Sequence, residues 1–498
     1  MKRSFIFLLM ATAIVATMIA SSPKREFRGV WLTSVYGIDW PSVSGTSAEI
    51  VKAQQDELDV YLDRFKELRL TTVCFQVRSL ADALYHSNRE PWASVTTGRR
   101  GVDPGWDPLE YVIEGCHRRG LECYAWINPF RWSAGTDYNT ELDRRFKEQG
   151  LLLTYDKYTV FNPALPQVRA HIIEVCREII ANYNLDGILF DDYFYPNRIP
   201  ENGTAADATL FSRSGEEKIG QWRRDNINYM VTEIYDLIQQ MRPEMRFGIG
   251  PAGVAGKAET SARKYGVEPC PVTAADWQWN EIYSDPLAWL ADGTIDFISP
   301  QLYWPTTHSK APYQPLTQWW SNIAAAFGRH YYASHSLSFV IDNDTPQSWE
   351  EVARQIELNR QYAIPGSSPG SCFFSAKPLL GNVGNHLRDN VFDTPALPPA
   401  VTWKATPRYD AVSGLRATRD VVTWQPMAPA RPGSIVRYSV YLLPPGVKAD
   451  GDIPGEYFQG LSYSPSFALN ERPGRGWKVA VAVVDGYGIE HTPAILNL

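Results

Sequence analysis

LDGILFDDYFYP, residues 185–196, decides the fold, because it is a short apolar strand that ends abruptly in two acids. Burying a lone acid is costly, so Asp191 and Asp192 belong at a strand end where something polar meets them. A side-chain period of two puts Leu189, Asp191 and Tyr193 on one face of that strand and Asp192 on the other. Working outward, runs of the same kind recur at Phe27–Thr33, Thr71–Val77, Leu121–Asn128, Gly187–Asp191, Met245–Gly250, Ile295–Tyr303, His330–His335 and Ser371–Ser375. Helical patterns lie between them, at 49–68, 108–119, 166–183, 221–241, 316–327 and 346–362. Pro108 and Pro166 stand at helix starts, where a missing N–H costs nothing. Eight strands alternating with helices predict an α/β fold, a (β/α)8 TIM barrel over residues 23–393. An open doubly wound sheet is the alternative, but no GxGxxG follows the first strand.

The Pro-rich stretch TPALPPA (394–400) marks a boundary. Beyond it, β-like runs at 401–405, 421–425, 434–443 and 477–484 are split by Gly and Pro turns. Residues 394–498 are therefore expected to form a small β-sandwich. Its closing segment, GWKVAVAVVDGYGIEHTPAI (476–495), resembles the last strands of a fibronectin type III module.

The chain begins MKRSFIFLLMATAIVATMIASS (1–22): Lys2 and Arg3, then an apolar run of 16 residues, then small residues. This is the pattern of a signal peptide cut near residue 22. The run falls short of the roughly 20 residues of a spanning helix, so no integral membrane span is expected in the mature protein. Export to the periplasm or cell envelope of a bacterium is the expected localisation. Six cysteines are sparse for disulfides in a chain that can build its own core, and they are read as buried free thiols. With no CxxC pair, HExxH or His cluster, neither a metal site nor a cofactor is expected.

The 498 residues are 44% hydrophobic and 21% charged, an ordinary globular balance that excludes a disordered or collagen-like chain. With 48 basic against 55 acidic residues the net charge is -7, and no long basic run appears. Nucleic acid is thereby excluded as a partner. The 17 Trp and 26 Tyr favour a polysaccharide or glycan substrate, whose C–H faces and hydroxyls suit a flat ring with a polar handle.

In such a barrel the site lies at the C-terminal ends of the strands. Those ends carry Trp31, Asp39 and Trp40 after the first strand, then Gln76, Arg78 and Asp82 after the second. Trp126 and Asn128 end the third, and Asp191, Asp192 and Tyr193 the fourth. Gln301, Tyr303 and Trp304 end the sixth, and His335 the seventh. Amides, acids and aromatics suit a polyhydroxylated ligand better than a phosphate. Asp191 is the first catalytic candidate, a nucleophile or base if Arg78 lies near enough to lower its pKa. The second carboxylate is Asp192, Asp82 or Asp39, in that order. Each has a structural alternative: a cap, a salt bridge to Arg78, or for His335 a satisfied core histidine. Trp31, Trp126, Tyr303 and Trp304 are sugar platforms or core.

The blocks EFRGVWLTSVYGIDWPS (26–42), FQVRSLADALYHS (75–87), YAWINPFR (124–131), LDGILFDDYFYP (185–196), FGIGPAG (247–253) and ISPQLYWP (298–305) resemble the glycosyl-hydrolase-like 10 family of bacterial envelope proteins. The resemblance implies a TIM-barrel glycoside hydrolase, one branch of which acts on peptidoglycan glycan strands stripped of stem peptides. It implies a site made of Asp39, Trp40, Gln76, Arg78, Asp82, Asn128, Asp191, Asp192, Tyr193, Gln301 and Tyr303. DGILFDDY is also distantly similar to the DGxDxDxE strand of family 18 chitinases, but Leu189 and Tyr193 stand where that motif has Asp and Glu. The competing expectations are a carbohydrate-binding barrel without catalysis and a deacetylase-type metalloenzyme.

Overall fold

The computed structural model describes residues 22–449 and 451–498; the signal-peptide expectation falls on residues 1–21, outside them. The barrel strands are Phe27–Leu32, Thr72–Arg78, Glu122–Ile127, Gly187–Phe190, Arg246–Ile249, Phe297–Ile298, His330–Tyr331 continued by Ala333–Ser336, and Gly370–Phe374. All are parallel, and each pairs with its neighbour in chain order. The seventh strand is interrupted only at Tyr332: its first half pairs with the sixth strand and its second half with the eighth. The eighth pairs back onto the first, so the ring closes, as the alternation of strands and helices predicts.

Large rings fill the interior. Phe27 stacks on Tyr332 at 4.1 Å, and Tyr124 and Phe297 lie within 6.1 Å of Phe27. Small neighbours make room for them: a Cβ on Gly248 would stand 2.2 Å from the Phe297 ring, and one on Gly187 3.0 Å from that of Tyr124. Phe27, Trp31, Cys74, Tyr124, Trp126, Leu189, Phe297, Tyr332 and Cys372 form one interior cluster. Leu189 therefore faces inward, and period two carries Asp191 to the same face. Outside the strands, helices Ala48–Glu67, Pro108–Arg118, Pro166–Asn182, Ile219–Met241, Tyr313–Ala326 and Pro346–Gln361 form the outer layer. A small antiparallel sheet, Arg131–Ala134, Leu152–Tyr155 and Tyr158–Phe161, is inserted after the third strand. The six cysteines are buried and unpaired.

The C-terminal part holds two antiparallel sheets. One orders Arg416–Thr418, Val421–Thr423 and Ser466–Ala468; the other orders Phe458–Ser462, Arg437–Leu443, Lys478–Val484 and Ala494–Asn497. Val422 and Trp424 meet Tyr438, Val440, Val479 and Val481 in one core between them. The expected strand at 401–405 is not one. Trp403 packs on His330 at 4.9 Å and Lys404 pairs with Asp296 at 2.7 Å, so this stretch is tied to the barrel rather than to a sheet.

The two parts meet at the N-terminal end of the barrel through buried charge. Arg437 donates to Glu122 of the third strand, which also accepts from Arg246 at 2.8 Å. Asp186, the first acid of the deciding stretch, accepts from the Cys123 N–H and the Tyr463 hydroxyl, both at 2.9 Å, and pairs with His117. It lies at the opposite end of its strand from Asp191.

Candidate active site

The fourth strand ends at Phe190, and the two acids follow at once. Asp191 is 3% exposed. Its Oδ2 accepts from the Trp126 indole at 2.9 Å and the Asn128 amide at 3.4 Å, while Oδ1 has no hydrogen-bond partner among the described residues. Burial, with the neighbouring Asp192 charge, pushes its carboxyl up to about 7 against the pull of Arg131 and the indole N–H. Asp192 is half-buried, and desolvation raises it to about 6 despite the Gln301 amide and Arg131. Two adjacent acids therefore sit near neutrality, in the range where proton transfer at neutral pH is efficient.

Tyr193, half exposed, lies under the Arg131 guanidinium at 4.4 Å. Arg131 Nε donates to Ser79 O at 3.2 Å, and the Arg131 N–H donates to Asn128 Oδ1 at 2.8 Å. Asn128 thus joins the backbone of one side of the mouth to the carboxylate of Asp191. Tyr303 stacks on Phe374 at 5.8 Å, and burial beside the Asp192 charge keeps its phenol protonated. Trp31 packs edge-on to Trp126 at 4.7 Å and donates to Ser334 at 3.1 Å. Gln301 donates to Gly250 O at 2.9 Å, and half-buried Trp304 covers Gly253. Trp126, Asn128, Arg131, Tyr193, Gln301 and Tyr303 lie at the acids, on or just after strands three, four and six, and Trp31 of the first strand stands behind Trp126.

Other expected site residues lie elsewhere. Arg78 is fully buried, paired with Glu90 at 2.5 Å, bonded to the Asn128 carbonyl and above the Phe161 ring. The cation beside the acids is Arg131 instead, and the expectation that Arg78 lowers their pKa is corrected: burial raises both. Asp82 accepts from the Ser79 and Leu80 N–H groups at 3.3 and 3.0 Å and pairs with Arg100 at 3.4 Å, which makes it a loop cap. His335 faces the helices, held by Gln355 at 2.9 Å and Asn359 at 3.2 Å, and burial lowers it to about 4. It is a neutral core histidine. Trp40 donates to Gln54 O at 2.9 Å within the outer core. Asp39 and Gln76 are engaged with backbone N–H groups. Arg131 escaped the sequence reading, although YAWINPFR ends on it; a cation three residues past a strand-end amide was the available signal.

Residues 26–338 match the model of the family described as Glycosyl hydrolase-like 10. The chain is 34% identical over 418 residues to glycosyl hydrolase YngK of Bacillus subtilis strain 168, covering 80% of this chain and 79% of that one. It is 32% identical over 367 residues to glycosyl hydrolase DigH of Escherichia coli K12, covering 68% and 80%. Among solved structures, the glycoside hydrolase domain of PgaB (BpsB) from Bordetella bronchiseptica aligns with a TM-score of 0.48 at 14% identity, covering 74% of this chain and 98% of that one.

Proposed function

The chain belongs to the glycosyl hydrolase-like 10 family, and from that premise we propose that it is an exported glycoside hydrolase that cleaves a cell-envelope polysaccharide. The substrate class proposed is the peptidoglycan glycan strand without stem peptides. The observation that carries the reading is the pair Asp191 and Asp192, raised to about 7 and about 6 at the end of one barrel strand. Glycoside hydrolysis uses one carboxyl to protonate the leaving oxygen and a second as nucleophile or base. Asp191 suits the first role: it is buried, and its raised pKa lets it hold a proton near neutral pH. As the glycosidic C–O bond breaks, that proton passes to the leaving oxygen. Asp192, the less strongly raised of the two, carries the charge that stabilises the oxocarbenium-like sugar. Water then adds to that carbon, and the proton it loses passes to the Asp191 carboxylate, which restores the acid. Trp126 and Asn128 stabilise the carboxylate that Asp191 becomes.

The C-terminal part is read as a fibronectin type III-like sandwich, supported by its three-plus-four strand order and shared core. Export is supported by the Lys2-Arg3 start and the apolar run after it.

Stem-peptide-free peptidoglycan incubated with purified protein, with and without a chelator, tests the reading. New reducing ends that persist in chelator are expected. Binding without products would mean a carbohydrate-binding barrel, and chelator-sensitive acetate release a deacetylase.

A further inference from the structure

The loop after the first strand adopts a conformation its sequence does not favour. Its turn, closed by the Ile38 N–H on Val35 O at 3.2 Å, holds Tyr36 at φ 56° and Gly37 at φ 64°. Glycine takes such values freely, but a bulky side chain there is a steric outlier. Turns with two left-handed central residues ordinarily place Asn, Asp or Gly first. Packing does not explain the exception, since the Tyr36 side chain is 69% exposed.

Three buried side chains enforce it. Gln76 Oε1 accepts from the Ser34 and Val35 N–H groups at 3.1 and 2.8 Å. Asp39 Oδ2 accepts from the Thr33 N–H at 2.8 Å. Its Oδ1 accepts from the Ser375 hydroxyl at 2.7 Å and the Lys377 N–H at 2.8 Å, so it ties the first strand to the eighth. Trp40 anchors the far side of the loop on Gln54. Backbone strain persists only where the surroundings over-determine it, and it gathers at functional positions. Asp39, Trp40 and Gln76 thus form a frame whose visible product is one exposed tyrosine at the barrel mouth.

We propose that Tyr36 is a glycan-binding residue on the rim, stacking on a sugar unit outside the one held at the acids. The inference rests on the hydrolase reading for the chemistry of the chain it binds. A phenol ring offers an apolar face with a polar tip, which matches a pyranose ring and its hydroxyls. Tyr138, from the insertion after the third strand, continues the rim, with Arg100 over its ring at 4.3 Å and Trp132 edge-on at 5.2 Å. Burial raises the Tyr138 phenol, with the Asp82 carboxylate and, more weakly, the neighbouring Tyr36 adding to the rise.

Co-sedimentation of the full chain with insoluble stem-peptide-free peptidoglycan reads binding without requiring turnover. Tyr36→Gly should weaken binding about tenfold, the loss of about 1.4 kcal/mol of stacking. Its Tm should hold or rise, because glycine relieves the strain. Tyr36→Trp should bind within about threefold of wild type, since a larger ring keeps the platform. Binding by Tyr36→Gly within twofold of wild type overturns the proposal, as does a Tm drop of several degrees or no binding by the wild-type chain. Reducing ends released in parallel decide the hydrolase reading separately: a protein that binds through Tyr36 and never cleaves keeps this inference and loses that one.

Discussion

The indole N–H of Trp126 donates to Asp191 Oδ2 at 2.9 Å, from the third strand to the end of the fourth strand paired beside it. This bond favours the ionised acid, whereas burial favours the neutral one, and burial prevails. Trp126→Phe keeps a ring and removes the donor. The Asp191 carboxyl should then titrate higher by roughly one unit, the scale of a hydrogen bond to a charged group. The alkaline limb of the kcat/KM profile should move up with it. A limb that stays in place in the folded variant shows that Trp126 does not act on the titrating group.

The same raised pKa has a consequence for stability. Asp191 titrates at about 7 in the fold against an ordinary value of 3.8, so between these pH values the folded protein binds the proton more tightly. Stability conferred by this group therefore falls as pH rises from about 4 to about 7, and is flat above. Asp191→Asn removes the penalty. Melting curves should show a Tm gain of a few degrees at pH 8 and a smaller gain at pH 5. Equal gains at both pH values would show that the acid is not raised in the fold.

Arg437 and Arg246 together neutralise Glu122 beneath the barrel. Arg437 also lies 3.7 Å from Asp186, so removing it leaves two buried acids facing Arg246 as their one arginine, and uncompensated buried charge costs about 3–5 kcal/mol. Arg437→Met should lower stability by about that much in denaturant titration. A change under about 1 kcal/mol would mean that the contact between the two parts contributes little.

The strand alternation was legible because each barrel strand is a short apolar run between amphipathic helices. Period two puts Asp191 on the face of Leu189, and that face is the interior, where Trp126 meets it. The partners of Arg78 and Asp82 were not legible. Glu90 and Arg100 come from loops whose path depends on tertiary packing, and a strand-end arginine looks the same whether it faces a ligand or a buried glutamate. His335 was ambiguous for a different reason: the pairing of Ser334 and His335 on opposite faces needed the interruption at Tyr332, which has no local signal. The short strands Arg416–Thr418 and Ser466–Ala468 lack the apolar runs that mark their neighbours, because one face is solvated.

The central claim is that Asp191 is the proton donor and Asp192 its ionised partner. Turnover of stem-peptide-free peptidoglycan glycan strands by Asp191→Asn, Asp192→Asn and Asp82→Asn, each checked for folding, tests it most directly. The first two should lose at least about 100-fold in kcat while still binding the strands, because an amide keeps the shape and cannot deliver the proton or carry the charge. Asp82→Asn should stay well above both in turnover per folded molecule. Asp191→Asn turning over within a few-fold of wild type would contradict the account.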